Sequence, residues 1–252
     1  MNSRKRLSIC FFSIFACFTA ASSMCIASDL EVQSETVSLV AAVTSDQDIV
    51  FPAGSTISGS YTTTGSITAE GSLILDGDTT LTALKEITIG AQISSAAGNS
   101  YNLTLDASTN PISIGGDVVN LHSFTIANAS QISLFDVITL GGPINIACPV
   151  MVQAGGGTIA LNGGDISFGG FVTPINANGG SSLDILTART INLGDTGPFG
   201  SVILTGTVHL SGTITSNSLV INGQKCCSAS CPAGTYTSCP SCPPKDQGNP
   251  SP

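Results

Sequence analysis

Ile87-Thr88-Ile89-Gly90 and Ile112-Ser113-Ile114-Gly115 carry the pattern that decides the fold. Each is an aliphatic residue, a small hydroxyl residue, a second aliphatic residue and a glycine. Alternation of this kind puts both aliphatics on one side of an extended chain and the hydroxyl on the other. So short a strand cannot bury its apolar side alone. The glycine that follows predicts a corner, where positive φ is freely available.

The same unit recurs on either side of these two. It stands at Leu73-Ile74-Leu75-Asp76-Gly77, Ile138-Thr139-Leu140-Gly141 and Ile166-Ser167-Phe168-Gly169, then at Ile191-Asn192-Leu193-Gly194 and Leu219-Val220-Ile221-Asn222-Gly223. From Ile87 onward the starts are 25, 26, 28, 25 and 28 residues apart. Between them lie units without a regular glycine: Leu103-Thr104-Leu105, Phe124-Thr125-Ile126, Ile144-Asn145-Ile146 and Leu183-Asp184-Ile185. A steady period of this size marks coils that bury their apolar sides on their neighbours. The spacing predicts an all-β chain whose residues 48–224 form a right-handed parallel β-solenoid. Its aliphatics point inward, and roughly seven coils make a rod about 35 Å long. A β-sandwich would use longer, more aromatic strands, whereas aromatics are 5% of this chain and Trp is absent.

The ends differ from the middle. Arg4, Lys5 and Arg6 precede a mostly apolar run, and Cys25-Ile26-Ala27 ends in a small-x-small pattern, so residues 1–27 are predicted to be a secretory signal cleaved after Ala27. Residues 28–47 read as a linker or cap. The remainder keeps four basic residues (Lys85, Arg189, Lys225 and Lys245) against 16 acidic ones, a formal charge of −12. Phosphate binding needs clustered Lys and Arg, so nucleic acid is excluded as a partner, as is an anionic membrane surface. No later segment is long and apolar enough to predict a membrane span.

Residues 225–252 form a Cys/Pro-rich tail, predicted to be disordered. Cys226, Cys227, Cys231, Cys239 and Cys242 are candidate disulfide cysteines. Cys239-Pro240-Ser241-Cys242 has the C-x-x-C form, but a zinc site wants a second such pair, and Cys226-Cys227 with a lone Cys231 does not supply one. Export to an oxidising compartment favours disulfides. Five cysteines cannot all pair among themselves, so at least one is expected to be free or joined to another chain. Cys148 falls on the same side as Ile144 and Ile146 and is expected to be buried and reduced.

The Ile-x-Ile/Leu-Gly units from Ile87 to Gly223 resemble the repeats of filamentous-haemagglutinin-type exoproteins, as do Gly163-Gly164-Asp165-Ile166-Ser167-Phe168-Gly169-Gly170 and Ser201-Val202-Ile203-Leu204-Thr205-Gly206. The resemblance implies a bacterial adhesin-like β-helix, secreted or at the cell surface, with a host or cell-surface glycan or protein as partner. It departs from the large members of that family: fewer residues precede Ile87 than their N-terminal secretion domain needs. The run Cys231-Pro232-Ala233-Gly234-Thr235-Tyr236 is similar to the Cys-Pro-Ala-Gly-Thr-Tyr modules of ephrin-receptor-like extracellular repeats and suggests a small disulfide knot. A tail of this kind would also serve a disulfide-linked copy or an envelope partner.

No catalytic residue, metal ligand or cofactor is expected. A solenoid acting on acidic polysaccharides would need clustered Asp with a basic residue, or a Gly-His-Gly; neither occurs. His122 and His209 lie in strand-like stretches without an acid or nucleophile motif. Asp76 and Asp78 flank Gly77 in a manner that turn chemistry explains, and Gly163-Gly164-Asp165 does not recur as a calcium repeat would. The Thr-rich steps Thr62-Thr63-Thr64, Thr80-Leu81-Thr82, Thr205-Gly206-Thr207 and Thr213-Ile214-Thr215 are too irregularly spaced for the flat rows of an ice-binding face. The predicted function is an exported structural or adhesin-like surface protein without catalytic activity. The alternative is a polysaccharide-active or glycan- or ice-binding solenoid, which would need acids clustered on one face or polar rows in register.

Overall fold

The computed structural model describes residues 24–26, 30–31, 42–134, 137–152, 158–174, 182–226, 230–231, 233–236 and 238–239. The stretch expected to be a signal, residues 1–27, lies outside them apart from Met24–Ile26. Cys227, Cys242 and the tail from residue 240 onward lie outside them too.

Every element among the described residues is a strand, and from Met24 to Ile221 every ladder is parallel. The chain is a parallel β-solenoid. Each coil has three faces. On one, Ile49, Ile67, Ile87, Ile112, Ile132, Val150, Val172, Thr196 and Ile214 sit one above the next, nine levels in register. A second face stacks Tyr61, Leu81, Leu105, Ile126, Ile146 and Phe168. The third stacks Leu73, Ile93, Val118, Ile138, Leu161, Ile185, Leu204 and Ile221. All of these except Thr196 belong to a single apolar core, and most are completely shielded from solvent. Eight steps between nine levels make a rod of about 38 Å.

The expected inward aliphatics are buried, in the primary and the intervening units alike: Leu103 and Leu105, Phe124 and Ile126, Ile144 and Ile146, and Leu183 and Ile185 are all inside. The period is different from the one expected. Steps along the nine-level column are 18 to 25 residues, not 25 to 28. Ile112 does stack on Ile87, but Ile138 belongs to the third face, over Val118. The reason is geometric. An aliphatic-x-aliphatic step followed by a tight corner serves any of the three faces, so the motif reports a corner without saying which.

The glycines of that motif also act differently from the expectation. Of those quoted, only Gly223 has a left-handed φ (+77°). Gly90, Gly115, Gly169 and Gly194 do not need positive φ; they need the absence of Cβ. A methyl on Gly115 would stand 2.7 Å from the carbonyl oxygen of Gly90, and one on Gly90 3.1 Å from that of Glu70. Corners of successive coils lie directly on one another, and a side chain there would enter the backbone of the coil below.

Candidate functional site

The inward positions make the core, so any function lies in the outward positions, the corners and the two ends. On the face of the Tyr61 column, the outward residue at each level is Ser60, Thr80, Thr104, Thr125, Asn145, Ser167, Asn192 and His209, with direct register between neighbours. These eight levels run the length of the rod at about 4.8 Å per step and carry only neutral donors and acceptors apart from the imidazole. On the nine-level face a second row reads Thr68, Thr88, Ser113 and Ser133 before Met151 interrupts it. The Thr-rich steps singled out in the sequence do not make one row: Thr63 is buried, and its hydroxyl bonds the Gln47 carbonyl. Thr205 lies on the third face, opposite Leu186. The in-register row is built from one residue per coil, which is why reading along the chain misses it.

Five of the aspartates have a structural task. Asp48 accepts a hydrogen bond from the Ser66 N–H at 2.7 Å, Asp78 from Asn102 at 2.9 Å and Asp117 from Val137 at 3.1 Å. Asp165 accepts from Thr190 at 3.1 Å and Asp195 from Thr213 at 2.8 Å. In each case the aspartate directly precedes an inward strand residue, and its donor directly precedes the residue stacked on that one in the next coil. Five carboxylates thus tie corner to corner up the rod. They are spread over three corners. Asp78 and Asp165 share a corner but lie four levels apart, about 19 Å, far beyond the roughly 5–9.5 Å that pairs two catalytic carboxyls in glycoside hydrolysis.

Asp184 has no such tie. It points outward on the third face, stacked against Ile203, and its Oδ1 has no hydrogen-bond partner. Burial raises its pKa above the usual carboxylate value. With half-buried Val220 and exposed Ile203 and Leu186 it belongs to an outward apolar patch near the end of the rod.

His122 is exposed at a corner. Arg189 is exposed in the strand Ser182–Leu193. His209 meets a partner: its Nδ1 lies 2.9 Å from Thr235 Oγ1. No group of three His, Cys, Asp or Glu side chains converges among the described residues. An open cleft of about 410 Å³ sits beside the 96–100 loop, where Ser95, Asn99, Ser100 and Asn120 line it. None of its lining residues is titratable, so it offers shape and neutral hydrogen bonds only.

Among the candidate cysteines, Cys226 and Cys239 are joined in a disulfide. Cys231 is described only in its backbone, which pairs with Ile214. Cys148 is buried and free, as expected, and burial pushes its thiol pKa up to about 11, which makes it a poor nucleophile.

Neither a family model nor a curated protein nor a solved structure matches this chain.

Proposed function

We propose that this chain is an exported, non-catalytic surface rod of the adhesin type, similar in its repeats to filamentous-haemagglutinin-type exoproteins, which meets an extended partner along its polar row. The observation that carries the reading is the eight-level row from Ser60 to His209, in register and facing outward, half-buried at most levels and exposed at Asn145, Asn192 and His209. A ladder of hydroxyl and amide groups, ending on an imidazole, suits a neutral glycan or an extended polypeptide lying along the rod. Five of the aspartates are engaged, one by one, in joining coils, rather than gathered on one face. The ice-binding reading wants the same residue at each level. Here Thr gives way to Asn, Ser and His, which favours a partner that itself varies along its length.

Export and surface display belong to the same proposal. Cleavage after Ala27 would remove Met24–Ile26, which pairs with Val43–Ser45, and would leave the coils from Val43 onward intact. The test is labelling of intact cells with antibody to the rod, compared with permeabilised cells. Labelling of intact cells is the expected result; labelling that needs permeabilisation would remove the surface role. Binding of the purified rod to glycans then tests the row. Thr104→Lys and Thr125→Lys should weaken that binding together, while Thr88→Lys on the neighbouring face should not.

A further inference from the structure

The last coil is not left bare. Gln224 and Lys225 turn back and pair antiparallel with Ile221 and Val220. Ser230 and Cys231 pair antiparallel with Thr215 and Ile214. Gly234, Thr235 and Tyr236 pair antiparallel with Leu210, His209 and Val208. One short strand therefore lies on each of the three faces. Among the described residues these are the antiparallel ladders of the molecule. Tyr236, Cys226 and Cys239 pack against the end of the core, and the Cys226–Cys239 bond closes the segment on itself across 13 residues.

Without these strands the end of the rod would present unpaired N–H and C=O groups on three faces around an apolar centre formed by Leu210, Ile214 and Ile221. Such an edge is a template for another chain. We infer that the strands Gln224–Lys225, Ser230–Cys231 and Gly234–Tyr236 are an assembly stop held shut by the Cys226–Cys239 disulfide, and that opening this bond lets the C-terminal end of the rod dock on the same end of a second copy.

Two observations choose that occupant. The first is direction. Two rods that meet end to end about a two-fold axis perpendicular to their length run antiparallel on every face, which is the pairing the last coil already accepts. The contact is self-complementary and closes at two copies. The second is charge. In a chain with 16 acidic residues, the stretch from Thr196 to Asp246 contains no Asp or Glu before Asp246 itself. The strands of the last coil thus bring no carboxylates face to face, whereas the rest of the acidic rod would repel a copy of itself.

Opening is an ordinary thiol–disulfide exchange. A dithiol reductant gives two electrons and two protons, Cys226 and Cys239 become thiols, and the reductant is oxidised to its own disulfide. A crosslink over a loop of this size shifts the closing equilibrium by roughly a hundredfold, so reduction should raise the open population by about that factor.

The experiment uses the full chain. Oxidised protein with its free thiols alkylated, protein held in dithiothreitol, and the C226S/C239S variant in dithiothreitol are compared by size-exclusion chromatography with light scattering over a range of concentrations. Circular dichroism monitors the fold. The expected result is a monomer in the first state and a concentration-dependent, non-covalent dimer in the other two. Amide exchange at Val208–Leu210 and Ile214–Thr215 should be slow in the dimer and fast in the diluted open monomer. Three results would overturn the inference: monomer in all states, a dimer whatever the redox state, or growth into longer polymers, which means head-to-tail stacking. Loss of the β signal on reduction would overturn it as well, since the bond would then be needed for the fold itself.

Discussion

Ile112→Ala tests the packing most sharply. Ile112 is completely buried, with Ile87 on one side of it and Ile132 on the other. The substitution removes three carbons, worth about 2.5 kcal/mol in transfer at roughly 0.8 kcal/mol each. The neighbours above and below are fixed by their own ladders, so the site collapses poorly and a cavity contribution is added, for a total of about 3–4 kcal/mol. At roughly 2–4 °C per kcal/mol for a domain of this size, the melting temperature should fall by about 10 °C. Ser113→Ala, one residue along the same strand, removes an outward hydroxyl and should change stability by no more than about 0.5 kcal/mol. Thermal melts followed by circular dichroism give both numbers. Equal costs at 112 and 113, or a cost at Ile112 below about 1 kcal/mol, would refute the assignment of inside and outside on which the whole reading depends.

Three further outcomes are expected. Asp195→Ala should lose about 1 kcal/mol of stability, because Thr213 is exposed and water can replace the lost acceptor; Asp195→Asn, which keeps an oxygen there, should recover most of it, and urea unfolding checks both. Asp184 binds its proton more tightly in the native state than in the unfolded chain. Its contribution is therefore favourable below the unfolded carboxylate pKa and is lost as pH rises through the raised value. Asp184→Asn should raise the melting temperature at neutral pH and leave it unchanged near about pH 3; a loss of stability at neutral pH would contradict the assignment. Cys148 should resist iodoacetamide in the native protein and react fully in denaturant, as mass spectrometry of the peptide will report.

How much of this was legible in the sequence depends on which direction is read. Alternation along the chain gave the inward set from Leu73 to Ile221, because a two-residue period survives in a strand of three residues. The register between coils is not an along-chain property. Ile112 follows Ile87 by 25 residues and Ile132 follows Ile112 by 20, since loops at the corners vary in length while the levels do not. The polar row from Ser60 to His209 was hidden for the same reason. The aspartate ties leave a readable trace: an Asp directly before an inward strand residue, as at Asp48-Ile49, Asp117-Val118 and Asp165-Ile166. Such a residue suggests turn chemistry until the next coil is placed above it. In the Cys-rich tail, composition announced disulfides but could not announce that Cys226 and Cys239 bracket two strands laid across the last coil.

Successive coils stack in register at a fixed rise, whatever the length of chain between them. Distances between nitroxide labels on the outward face measure this directly. With Thr68→Cys as the common site, partners at Ser113, Ser133 and Thr173 lie two, three and five levels away, so the mean separations should increase by about 4.8 Å per level, to roughly 10, 14 and 24 Å. Pulsed dipolar spectroscopy covers the longer pairs and line broadening the shortest. A regular increase with level, independent of sequence separations of 45, 65 and 105, is the predicted result; separations that do not rise in that order would contradict the stacked solenoid.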